Sequence, residues 1–107
     1  MASPSVPFSY QVEVSGDTTT ITCHGRIVRG TADELKQVVK PMIPKVRRIA
    51  LDLSDVSFVD SSGLGVLVGL KVSAASAAYT SLEFINFSPP LKELLYTTKL
   101  SQFLGVS

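Results

Sequence analysis

The sequence predicts an α/β domain, a mixed sheet of four or five strands with helices packed against it. Three observations carry that prediction. Short segments with apolar residues at every second position are separated by segments with helical spacing. The order reads strand, strand, helix, strand, helix, strand, helix, which requires at least one parallel crossover. Finally, 107 residues with 45% hydrophobic and 18% charged side chains suffice for one core in one domain and exclude a disordered chain.

Taken in order, residues 1–7 (MASPSVP), with prolines at 4 and 7, read as a frayed end. Phe8, Tyr10, Val12 and Val14 then alternate with Ser9, Gln11, Glu13 and Ser15, the period of a half-buried strand. Ser15-Gly16-Asp17-Thr18 supplies turn residues, and Thr19 to Gly25 resumes the alternation, so a hairpin is expected. In this second strand Cys23 shares a face with Ile21 and reads as a small buried hydrophobe rather than a reactive thiol. His24 reads as a surface residue. Thr31-Ala32-Asp33-Glu34 has the form of a capping box opening a helix, with Leu35, Val38, Val39 and Met42 as its inward stripe and Pro41 and Pro44 limiting its length.

Arg47 to Leu53 places Ile49, Leu51 and Leu53 on one face of a third strand. From Ser62 to Ala78 nearly every residue is small or apolar and Lys71 is the only charge, the composition of a buried helix. Ser81 to Phe87 reads as a further strand. Ser88 followed by Pro89 gives a helix cap with proline at the first helical position, and Leu91, Leu94 and Leu95 form that helix's stripe.

Charge and cysteine content exclude several classes. Ten Lys and Arg against nine Asp and Glu give a net charge of +1, which supplies no overall attraction to nucleic acid or anionic lipid. One cysteine excludes an internal disulfide, and one histidine beside it is too few for a structural zinc site. Residues 1–7 lack the basic start and apolar stretch of a secretory signal, and the most apolar run, Leu64 to Leu70, ends at Lys71, far short of a membrane span. A cytoplasmic domain without a membrane span is the expectation. Arg26, Arg29, Lys36, Lys40, Lys45, Arg47 and Arg48 concentrate cations in one stretch, read either as a solvated face or as a surface for acidic partners.

The chemically informative segment is Phe58-Val59-Asp60-Ser61-Ser62-Gly63-Leu64-Gly65, which joins the third strand to the apolar helix. It places two hydroxyls where a helix begins, beside unpaired N–H groups and a partial positive charge of about +0.5. A phosphoryl group is well hosted there. The simpler reading is that Ser61 or Ser62 caps the helix. Asp52, Asp55 and Asp60 form the densest acidic cluster: carboxylates of this kind bind magnesium or do acid–base work, but Asp55 also suits a turn and Asp60 a helix N-terminus. Gly63, Gly65 and Gly69 do not make a G-x-G-x-x-G motif, no G-K-[ST] occurs, and neither serine sits in a G-x-S-x-G elbow. The Gly65-x-x-x-Gly69 pair reads as a site of close helix–sheet approach.

The run from Arg47 to Leu67, with Asp60-Ser61-Ser62-Gly63-Leu64 at its centre, resembles the STAS domain family, in particular the stand-alone bacterial anti-sigma factor antagonists, whose signature is D-S-[ST]-G-L. Gly25-Arg26-Ile27 with Thr31-Ala32 is similar to the family's G-E-L-D…T-A region, and Ser88-Pro89-Pro90-Leu91 through Leu95 to its S-P-x-[LV]-x-x-[LI]-[LF] region. Val28 and Arg29 depart from the family's acidic loop.

The resemblance implies a small binding module without catalysis or cofactor. Ser61 would be the acceptor of a phosphate from a serine kinase that is also the anti-sigma factor and has a histidine-kinase-like ATPase fold. A metal-dependent serine phosphatase would remove it. Asp60, Ser62, Gly63, Arg26 and Arg29 would meet the partner. Two other readings stand beside this one: a STAS scaffold subunit of a larger signalling or lipid-transport assembly in which Ser61 is never modified, and a small enzyme acting on a nucleotide or phosphoester. The lack of a general base near the serine in sequence argues against the last.

Overall fold

The computed structural model describes residues 8–43 and 45–99; the expected frayed end at 1–7 and Pro44 lie outside them. The chain runs β1 (Phe8–Ser15), β2 (Thr18–Ile27), α1 (Thr31–Val39) with a 3-10 turn at Lys40–Met42, β3 (Arg48–Val59), α2 (Ser61–Ser76), β4 (Ser81–Ile85) and α3 (Pro89–Thr97). The four strands lie in the sheet in chain order. β1 pairs antiparallel with β2, while β2 with β3 and β3 with β4 are parallel. The predicted α/β class, the order of elements and the crossover are all present, with α1 and α2 each bridging a parallel pair.

The core is one face of the sheet. Ile21, Leu51 and Phe84 stand in register across three strands, as do Thr19, Ile49 and Leu82, and all are buried. Ala32, Leu35 and Val39 of α1 and Leu67, Leu70 and Ala74 of α2 belong to the same cluster. The opposite face carries Thr20, Thr22, His24, Asp52 and Glu83, and none of them is buried. Cys23 is buried as expected, and burial pushes its thiol up to about 12.

β3 continues six residues past Leu53, where the alternation in the sequence stops. The reason is visible in its register. One extra residue of β3 is accommodated between Thr22 and His24 of β2, and another between Gly25 and Arg26. Each irregularity turns a spacing of two into three, so the inward residues are Ile49, Leu51, Leu53, Val56 and Val59. Gly25 takes a positive φ of 91° at the second irregularity, a backbone that favours glycine. Asp55, expected in a turn, is therefore a strand residue opposite His24.

Four other expectations are corrected. β1 is not half-buried: Phe8 is buried, but Tyr10, Val12 and Val14 are 36%, 45% and 69% exposed, because the helices pack over β2, β3 and β4 and leave the edge strand uncovered. α2 is not buried all round. Gly63, Leu67, Leu70 and Ala74 face inward, whereas Gly65, Gly69 and Val72 are exposed. The Thr31 hydroxyl does not cap α1, whose N-cap is Gly30. It accepts from the Val28 N–H (2.9 Å) and donates to the Arg26 carbonyl (2.9 Å), fastening the β2–α1 loop to itself. β4 ends at Ile85, since Asn86 turns to φ 54° and leaves Phe87 outside the strand.

β4 covers only the first part of β3, ending at the Asp52–Ile85 pair. Beyond it the start of α3 takes over as the neighbour of β3. The Ser88 N–H donates to the Leu53 carbonyl (3.2 Å) and the Ser88 hydroxyl to that of Val56 (2.6 Å), while its oxygen accepts from the Leu91 N–H. Ser88 is thus the predicted cap and also satisfies the uncovered stretch of strand.

Candidate functional site

The site lies where β3 hands over to α2. Ile27 and Val59 are the last paired residues of β2 and β3, and the Asp60 N–H donates to the Ile27 carbonyl (3.3 Å). Asp60 is the N-cap of α2. One carboxylate oxygen accepts from the Gly63 N–H (2.8 Å), the other from the Arg29 N–H in the β2–α1 loop (3.1 Å). The Gly63 N–H is the chief cause of a carboxyl held below the ordinary carboxylate range, with Arg29 and Ser62 N–H groups adding to it. One side chain therefore fixes both the helix start and the loop beside it.

The reading that Ser61 or Ser62 caps the helix is thereby replaced. Because Asp60 takes the cap, Ser61 begins the helix with its side chain exposed, and Ser62 is exposed beside it. Ser61 is thus exposed at the positive end of a 16-residue helix.

Gly63 is buried. A Cβ there would overlap the Ile27 carbonyl oxygen and lie 2.9 Å from both the Ile27 carbonyl carbon and Val59 Cγ1. It is thus Gly63, and not the Gly65/Gly69 pair, that permits close helix–sheet approach. Added Cβ atoms at Gly65 and Gly69 would meet nothing within 4 Å. Gly63 lies beneath the surface that Ser61 and Ser62 expose.

Arg26 and Arg29 stand exposed on the loop that Asp60 holds. The Arg26 guanidinium lies over the Phe58 ring, 6.0 Å from its centre, and Phe58 is 52% exposed. Sequence reasoning missed Phe58, since an aromatic residue among Val56 and Val59 reads as core until the second register shift turns it outward. On the other flank, Lys36 of α1, Lys40 of the 3-10 turn, and Ser62, Gly65 and Ser73 of α2 line a groove of about 440 Å³.

The acidic cluster is dispersed. Asp60 caps α2. Asp55 meets the Nδ1 atom of His24 at 2.7 Å, a pairing across the sheet that no local pattern could reveal. The Asp52 carboxylate accepts from the Ser54 N–H and the Asn86 side-chain amide, both at 3.0 Å. Among the described residues no three or more His, Cys, Asp or Glu side chains are placed to hold a metal ion. Nor, among those residues, is any helix long and apolar enough to cross a membrane.

The STAS domain family model matches residues 9–107. The chain belongs to the STAS domain family. A STAS-domain containing protein of Pseudomonas aeruginosa (strain UCBPP-PA14) is 26% identical over 92 residues, covering 86% of this chain and 90% of that one. The unphosphorylated anti-sigma factor antagonist SpoIIAA has a similar structure, with a TM-score of 0.74 at 20% identity over 92% of this chain and 88% of that one. The phosphorylated form of the Bacillus protein gives 0.69 at 20% identity, over 92% and 91%. A sulfate transporter family protein of Wolinella succinogenes gives 0.73 at 22% identity, over 87% and 75%. At these identities the structural likenesses establish the STAS fold shared by anti-sigma factor antagonists and a transporter-family protein, four strands in a mixed sheet with three helices.

Proposed function

We propose that this STAS domain is a cytoplasmic anti-sigma factor antagonist, a binding module that sequesters an anti-sigma factor with serine-kinase activity until Ser61 is phosphorylated. The observation that carries the proposal is the division of labour at the start of α2: Asp60 performs the capping, so the Ser61 hydroxyl is exposed and not needed for the fold. A phosphate at Ser61 adds a charge of about −1.5 to −2. Inside the domain that charge sits at a helix N-terminus, where it is tolerated or favourable. Toward a partner it adds bulk and negative charge next to the Asp60 carboxylate, in a surface that includes Ser62, Arg26, Arg29 and Phe58. A coupling of about 3 kcal/mol lowers affinity roughly 150-fold, enough for a switch that leaves the fold unaltered. A metal-dependent serine phosphatase resets it.

The test is intact-mass spectrometry after incubation with ATP and the cognate kinase. The wild type should gain the mass of one phosphate and Ser61→Ala none, while Ser61→Ala binds the kinase constitutively. Ser61→Asp should bind on the order of 100-fold more weakly at an unchanged melting temperature. Full phosphate incorporation into Ser61→Ala would remove Ser61 from the mechanism. The shared fold with a transporter-family protein, together with Val28 in place of the family's loop acid, favours the scaffold reading as the second one. Recovery of a sensor complex or transporter ATPase in place of a kinase, with Ser61 unmodified, would decide for it.

A further inference from the structure

Among the described residues β1 is an edge strand, and its sequence lacks the features that keep such edges from pairing. It contains no proline or lysine, its pairing with β2 runs without interruption from Phe8 to Ser15, and Glu13 is its only charge. Tyr10, Val12 and Val14 lie opposite Cys23, Ile21 and Thr19. They therefore extend the core face of the sheet past the helices, and all three are exposed.

We infer that β1 is a self-association edge, where a second copy of this chain pairs antiparallel with β1 about a two-fold axis at Val12 to form a continuous eight-stranded sheet. The pleat restricts the choice of register. Opposed residues must project to the same face, so residue numbers facing each other sum to an even value. With Val12 opposite Val12 of the second copy, Tyr10 meets Val14 and Ser9 meets Ser15. Every paired residue from 9 to 15 then belongs to β1. On the polar face Glu13 meets Gln11, so no like charges oppose. Of the two neighbouring even registers, the one centred on Glu13 sets that carboxylate against its own copy, and the one centred on Gln11 runs past Phe8, the first residue of β1, to find a partner for Ser15. The Val12 register therefore covers all three exposed apolar side chains and gives the outward N–H and C=O groups of both strands partners.

The arrangement leaves the candidate site free. Phe8 pairs with Gly25, at the end of the sheet where Ile27 contacts Asp60, so the antiparallel pair carries its two Ser61 residues at opposite ends. The assembly is bivalent.

Sedimentation equilibrium on the full chain should give twice the monomer mass, and Val12→Lys should return the monomer mass. Val12 is exposed, so circular dichroism should show the same fold for that variant, with a melting temperature that no longer rises with protein concentration as the wild type's does. The register is tested by cysteine placement. Residues facing across the two-fold axis are about 4.5–5.5 Å apart at Cα, within disulfide range, so Val12→Cys should cross-link under mild oxidation. Val14→Cys should not, because its own counterpart lies roughly 13 Å along the strand. A monomer up to millimolar concentration, a dimer that survives Val12→Lys, or equal cross-linking at 12 and 14 would each overturn the inference.

Discussion

Replacing Gly63 by alanine places one methyl group between the first turn of α2 and the end of β2. The new Cβ overlaps the Ile27 carbonyl oxygen and reaches to 2.9 Å from Ile27 C and Val59 Cγ1. Two of those three atoms are backbone, so no side-chain rotation relieves the contact and the helix must move away from the sheet. Overpacking of this kind costs typically 1–3 kcal/mol. The displacement also strains the 2.8 Å bond from the Gly63 N–H to the Asp60 cap. We expect a loss in that range of about 1–3 kcal/mol, a drop of roughly 5–20 °C in melting temperature for a domain of this size. Gly65→Ala is the matched control two residues away. Its methyl meets nothing within 4 Å, and replacing glycine by alanine inside a helix stabilises by up to about 1 kcal/mol. Thermal melts and urea titrations of both variants read the two signs directly. A neutral or stabilising Gly63→Ala, or a Gly65→Ala as damaging as Gly63→Ala, would refute the assignment of the close approach to Gly63.

Other predictions concern the neighbouring residues. The Asp60 carboxyl has its pKa lowered in the folded state, so its contribution to stability is complete above the unfolded value of about 3.9 and is lost as pH falls through the folded value. Melts of wild type and Asp60→Ala should therefore differ at neutral pH and converge in acid; a constant gap across that range would show that ionisation is irrelevant to the cap. Thr31→Val removes the hydroxyl that fastens the β2–α1 loop, at a cost of about 1 kcal/mol, and hydrogen exchange at the Val28 amide should quicken. Cys23, buried with its thiol pushed up to about 12, should resist alkylation at pH 8 in the native protein and react promptly in urea.

Much of this molecule can be read from local pattern. The order of elements, the Ser88 cap with Pro89 behind it, and the burial of Cys23 follow from spacing and residue type. Where the reading fell short, the deciding information was non-local. The last part of β3 was invisible because two register shifts against β2 break the alternation that marks a strand. The same shifts turn Phe58 outward and bring Asp55 to His24. Tyr10, Val12 and Val14 carry the pattern of a covered strand, but only the placement of the helices determines that β1 is left bare. At the site, Asp60 and two serines compete for one cap, and geometry gives it to the carboxylate. Three glycines stand near the start of α2, and the sequence has no means of telling which of them faces the end of β2.

The agreement between chain order and sheet order has a further consequence for synthesis. Each strand leaving the ribosome is laid beside the one made just before it, so no insertion between strands already paired is ever required. The β1–β2 pairing is the most local in the sheet, and the two crossovers add β3 and then β4 on the same side. One border is renewed with each strand added, while the other, among the described residues, keeps β1 throughout.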